Sequence, residues 1–326
     1  MKNATKLWRY CGLALLLAVG ALAQEVPVVL HVEYDNQVRY TEDVTDPARV
    51  ARSPVPVTAS PTVNFGRNVD ISDVTAVNGS PAKGVIVNML SAMFLTPNPI
   101  PGQAISDVAQ GQFGFFQIDL LKPNGDRIGS IFAVGGPGTP TGAAIIGGSG
   151  AYVGAKGTLN GESVAGGRPP RTTSQAEDPS MRRTNGGGRG GYVIRLYPMF
   201  RPAVVIIPSG PAIAHAADFA LVSTSRPAVA GEILSAFLTG LGPTVPAVEP
   251  GSPFPASPLA FVSSPVTVTV NGKSAEVLAV VGFPGSVGGY QLNFRVPSDA
   301  LIATKVATIQ VSAAWIAGAP VNIPTQ

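Results

Sequence analysis

The chain is poor in reactive and charged side chains. Its 326 residues include one cysteine, Cys11, and two histidines, His31 and His215. Beyond Cys11 this excludes disulfides, a thiol nucleophile and a thiolate metal site. No zinc-ligand spacing, calcium-loop pattern or Ser-His-acid order is present, so no catalytic residue, metal site or cofactor is expected. Charged residues are 13% of the chain, against about a quarter in an average domain. Lys2, Lys6 and Arg9 account for the whole formal charge of +3. The remainder is neutral, with no global electrostatic case for nucleic acid or an anionic membrane as partner. After the N-terminal apolar run, no stretch approaches the roughly 18 apolar residues of a spanning helix.

Residues 1–23 read as a secretory signal peptide. Lys2, Lys6 and Arg9 precede the short apolar run Gly12–Leu22, and Ala21-Leu22-Ala23 is a small-x-small cleavage site. Cys11 follows Trp8-Arg9-Tyr10, which is not a lipid-attachment context. The expected location is secreted: extracellular, periplasmic or cell surface. Mass spectrometry of the exported protein should find Gln24 at the N-terminus, and an intact Met1 start would contradict cleavage.

Glycine (38) and proline (31) are abundant beside 45% hydrophobic residues. Many turns between short β-branched runs describe an all-β protein, and the length suggests two domains. Val28–Tyr34 alternates as a first strand, and the prolines within 41–62 mark a long loop or edge. Gly84–Leu95 has the length of a helix, but its β-branched start and the prolines after it favour a strand. Gly111–Leu121 and Arg127–Val134 flank Asn124-Gly125, a hairpin signal. Ala143–Ile146, Ala151–Leu159 and Gly191–Tyr197 bring the total to about seven strands.

Residues 164–190 contain Arg168, Arg171, Arg182, Arg183 and Arg189 against Glu177 and Asp178. The segment reads as a flexible, solvated insertion. The alternative, an anion- or RNA-binding arm, lacks aromatic residues for base stacking. A boundary falls at Arg201-Pro202. Beyond it, eight short strands separated by Pro and Gly clusters, with a hairpin at Asn271-Gly272, read as a β-sandwich.

The run Gly147-Gly148-Ser149-Gly150-Ala151-Tyr152-Val153-Gly154-Ala155-Lys156-Gly157 misses both nucleotide-loop spacings and is followed by strand and turn residues. It resembles the signature hairpin of the allene oxide cyclase and dirigent barrels, as do Phe115-Phe116-Gln117-Ile118-Asp119-Leu120 and Gly129-Ser130-Ile131. That resemblance implies an up-and-down β-barrel over 24–201 and leaves a homo-oligomer open. Farther on, Gly231-Glu232-Ile233-Leu234, Thr239-Gly240-Leu241-Gly242-Pro243, Val266–Ala275 and Pro284–Pro297 resemble the Solibacter-type C-terminal domain of secreted acidobacterial proteins. It implies an immunoglobulin-like module over 202–326 and no chemistry.

Several polar residues interrupt apolar strands. His31 and Glu33 share a strand face, Gln117 and Asp119 share one with Phe113 and Phe115, Arg195 with Val193, and Asn88 with Leu90 and Phe94. If those faces line the barrel, His31, Glu33, Gln117, Asp119 and Arg195 are ligand contacts in an apolar cavity. If not, they are solvated pairs. Asp119 and Arg195 could form an ion pair, buried or exposed. His215 has no nucleophile or metal partner near it in sequence, so its expected role is structural. The leading expectation is a secreted protein that binds a small apolar or aromatic ligand, or another extracellular component, without turnover. Steering of a reactive intermediate by the barrel, and a purely structural surface role, are the alternatives.

Overall fold

The computed structural model describes residues 26–41, 63–95, 111–135, 142–301 and 305–326. The signal-peptide residues and nearly all of the 41–62 loop lie outside them. No helix among the described residues is long and apolar enough to cross a membrane.

The first half is a closed barrel of eight antiparallel strands. They are β1 (Val28–Thr41), β2 (Val63–Val77), β3 (Ser80–Leu95), β4 (Gly111–Leu121), β5 (Arg127–Val134), β6 (Ala143–Gly150), β7 (Lys156–Glu162) and, after a short β8 (Arg171–Ser174), β9 (Gly188–Tyr197). Each barrel strand pairs with its sequence neighbour, and β9 closes on β1. This is the up-and-down arrangement, which leaves no free edge in the ring. Gly84–Leu95 is strand, within β3. The expected hairpin at Asn124-Gly125 is present. Strand β2 is additional to the seven expected.

The glycine run forms the β6–β7 bend, with Tyr152 folded inward at 1% exposure. Gly157 has a φ of +147°, and a Cβ there would strike the Arg195 carbonyl of β9. A side chain at this position is incompatible with the β7–β9 pairing, which explains the glycine without reference to a ligand.

Alternation decides what fills the barrel. Leu30, Val32 and Tyr34 point inward from β1, Phe116, Ile118 and Leu120 from β4, and Tyr192, Ile194 and Leu196 from β9, all buried. Full burial of each large apolar side chain stabilises by about 1.5–3 kcal/mol. The cluster continues into Ala314 and Ile316 of the second half, which close one barrel end beside Tyr152. Tyr152 donates its hydroxyl to the Ala314 carbonyl at 3.3 Å.

The second half is a curled sheet of eleven strands, with a separate two-stranded hairpin of Ile206–Ile207 and Gly210–Pro211, over an apolar core that includes Leu234, Val268, Leu292, Phe294 and Ile309. Strand Lys273–Gly282 shapes it. Residues 273–275 pair with Val266–Val270, and 276–282 pair with Gly289–Arg295, with a register shift between Val277 and Ala279. The hairpin at Asn271-Gly272 is present, with both residues at positive φ. Residues 218–222 form no strand, and Leu221 makes only an isolated bridge to Ala214. The short strand Ile213–His215 pairs with Ile233–Thr239 instead.

The 164–190 segment also departs from expectation, because its arginines have partners that are distant in sequence. Residues 171–174 add β8 parallel to the end of β1, and 179–185 make two short helical turns. Arg182 and Arg183 both reach Asp73 of β2, at 2.6 and 2.8 Å. Arg168 binds Asp35 at 2.9 Å and Arg189 binds Glu33 at 2.8 Å. Arg171 forms two hydrogen bonds with Glu177 inside the segment. Local composition suggested excess positive charge. The folded chain supplies Glu33, Asp35 and Asp73 to offset it.

Candidate functional site

All five predicted contact residues point away from the barrel interior. Because strand faces alternate, burial of Leu30 and Val32 forces His31 and Glu33 outward. His31 Nδ1 lies 2.8 Å from a Glu162 carboxylate oxygen, and Glu33 takes Arg189. Gln117 and Asp119 are the outward neighbours of Phe116, Ile118 and Leu120. Gln117 Nε2 donates to Asp119 at 3.0 Å, and Ser130 donates to the same carboxylate. Arg195 is exposed between Val29 and Thr158. Asp119 and Arg195 do not meet, since β5, β6 and β7 separate their strands. The placement inside the barrel is therefore corrected: each residue is held by an outer-face partner or by solvent. Phe115 is likewise outward, with its ring 6.2 Å from Phe132. The Phe94 and Phe113 side chains lie outside the described set. His215 is buried between Glu232 (Nδ1, 3.1 Å) and the Arg226 carbonyl (Nε2, 3.3 Å), which is a structural arrangement.

A different set of polar groups does enter the barrel. Arg39, Asp70, Asn88 and Phe116 stand side by side in one cross-strand row over β1, β2, β3 and β4. Asp70, Ser72 and Asn88 are all buried. Arg39 grips Asp70 with two hydrogen bonds of 2.9 Å, through Nε and Nη2. This row lies toward the barrel end opposite Tyr152 and Ala314.

Aromatic rings complete the cluster. The Tyr34 and Tyr192 centroids are 5.1 Å apart, and Phe116 meets Tyr192 edge-on at 6.1 Å. Gly190 makes room, since a Cβ there would strike the Tyr34 hydroxyl. Burial raises the pKa of both phenols, Tyr192 well above its ordinary value, and the nearby Asp70 charge adds to the effect. Both therefore stay protonated at neutral pH and act as hydrogen-bond donors, not bases. The hydrogen bonds that Arg39 donates to Asp70 hold Arg39 more firmly protonated.

One group in this set has no partner. Asn88 Oδ1 is buried without a hydrogen bond among the described residues, and packs beside Gly114, where a Cβ would come within 3.4 Å of it. Leaving a buried acceptor unpaired costs about 1–3 kcal/mol. The cluster thus offers an acceptor without a partner and aromatic rings, with the two neutral phenols hydrogen-bonded to each other. Among the described residues it contains no nucleophile paired with a base. Among the described residues no group of three or more His, Asp or Glu side chains could hold a metal ion.

No protein-family model, curated protein or solved structure matches the chain. The site is accordingly read from its own geometry.

The five expected contact residues lie on the outer faces of β1, β4 and β9, whose inner faces carry apolar and aromatic side chains such as Leu30, Phe116 and Ile194. Asn88 was on the right face. Asp70 and Ser72 were missed because β2 was not recognised, although Asn78-Gly79 is a hairpin signal between β2 and β3.

Proposed function

We propose that this is an exported protein that binds a small, largely aromatic or apolar molecule with one polar group, without turnover, at the Arg39–Asp70 end of the barrel. The observation that carries the reading is the unpartnered Asn88 Oδ1 beside the Tyr34–Tyr192–Phe116 aromatic cluster. A phenol fits this chemistry. Its O–H would donate to Asn88 and its ring would stack on the tyrosines. Asp70, locked by Arg39, shapes the wall and keeps Arg39 from competing for the ligand. The expected location outside the cytoplasm rests on the N-terminal signal, and the immunoglobulin-like reading of the second half on its motif resemblance.

The test is calorimetric titration with 2-naphthol. Wild type is expected to bind saturably. Asn88→Leu, which removes the acceptor but keeps the volume, should weaken binding about tenfold, the worth of one hydrogen bond. Equal affinity in the two proteins would refute the reading.

A second reading is that the site steers a reactive aromatic intermediate. The pair of neutral phenols beside a carboxylate favours it, because steering requires orientation and hydrogen bonding and no nucleophile. It would show as a changed product ratio in coupling of phenoxyl radicals supplied by an external oxidant, with the change lost in Asn88→Leu.

A further inference from the structure

A separate cavity of about 480 Å³ lies between the barrel and the curled sheet. That volume is within the usual range of small-molecule sites. Three glycine-bearing stretches converge on it: Gly150-Ala151 at the end of β6, the Thr239–Pro243 turn, and Val287-Gly288. None of them has any other chemistry assigned to it.

The wall is mostly apolar, with one orphaned polar group. Phe254 and Tyr290 contribute rings 5.2 Å apart, and the Tyr290 hydroxyl is occupied by the Gly242 carbonyl at 2.6 Å. Ser264 lines the same cavity at 5% exposure. Its Oγ has no hydrogen-bond partner among the described residues. Gly242 stands beside it, where a Cβ would come within 3.4 Å of Oγ. A buried hydroxyl costs stability when unpaired and is satisfied by a ligand that supplies an acceptor. Among the described lining residues, formal charge comes only from Arg201 and Glu249, of opposite sign. Arg201 already donates to the Val26 carbonyl at 2.7 Å. A charged ligand would therefore find no net complement.

We propose that this cavity binds a neutral, mainly apolar small molecule bearing one acceptor oxygen, which receives the Ser264 hydroxyl hydrogen. The site is independent of the barrel site, sharing none of its residues.

The test uses 6-propionyl-2-(dimethylamino)naphthalene, a neutral ketone whose emission shifts to the blue when it leaves water. Wild-type protein should give saturable, blue-shifted emission. Val287→Trp fills the rim from an exposed position, so the fold is preserved, and should abolish binding. Ser264→Ala should weaken binding about tenfold. Asn88→Leu should leave it unchanged. Thermal melts of all variants establish that they are folded. Absence of saturable binding, binding that survives Val287→Trp, or loss on Asn88→Leu would each overturn the proposal. Insensitivity to Ser264→Ala would overturn the assigned hydrogen bond.

Discussion

Asp73→Ala is expected to destabilise the protein by about 3 kcal/mol and to release the 171–186 segment from the barrel. Asp73 is the acceptor for two arginines and for Asn36 at 3.2 Å. Arg182 is almost fully buried, with a side-chain exposure of 7%. Removing the carboxylate leaves that guanidinium buried without its charge partner, a change worth about 3–5 kcal/mol in general. Arg183 is 59% exposed, so Arg183→Ala should cost under about 1 kcal/mol. Urea unfolding gives the first measure. Limited trypsin digestion gives the second: Arg171, Arg182 and Arg183 should resist cleavage in wild type and be cut in Asp73→Ala. Equal proteolysis of the two proteins would contradict the docking. The pH dependence has a definite sign. Burial alone would raise the Asp73 pKa, but the hydrogen bonds from Arg183, Arg182 and Asn36 outweigh it and hold the value below 3.8. The stabilisation is therefore complete at neutral pH and disappears only as pH falls below 3.8 and through the lower folded value.

Gly157→Val should be at least as damaging, at more than about 3 kcal/mol. It places a β-branched side chain at φ +147° and drives its Cβ into the Arg195 carbonyl. The strand pair affected, β7 with β9, is one of the eight that close the barrel, so relief requires opening the ring. Gly147→Ala, in the same glycine run, meets nothing within 4 Å and has no positive φ. It should change stability by less than about 0.5 kcal/mol. Thermal or urea denaturation of the two variants separates them. Similar stability would mean that strand closure does not require the glycine at 157.

The contrast between these glycines shows what sequence can and cannot carry. Barrel architecture was legible because closure depends on local signals, namely β-branched alternation, the Asn124-Gly125 turn and the glycine bend. The interior face was not legible. Parity fixes which residues share a face, but either face of a β-barrel strand can be the polar one. On β1 and β4 the outer face carries His31, Glu33, Gln117 and Asp119. Their partners, Glu162, Arg189 and Ser130, come from other strands and are invisible along the local sequence. The true interior polar set was hidden for a related reason. Asp70 and Ser72 break the apolar pattern of β2, so the strand that carries them did not read as a strand. The arginines of 164–190 followed the same rule, since charge counted within a segment ignores acceptors elsewhere in the fold.

The proposed binding site is the Arg39–Asp70 end of the barrel, with Asn88 Oδ1 as its acceptor. The most direct measurement is the NMR signal of the Asn88 side-chain carboxamide during titration with 2-naphthol, with the Gln117 carboxamide as an outer-face reference. The account predicts a saturable shift at Asn88, accompanied by the Tyr34 and Tyr192 ring resonances, and a stationary Gln117. A shift at Gln117 alone, or saturation of binding with Asn88 and both tyrosines unmoved, would contradict it.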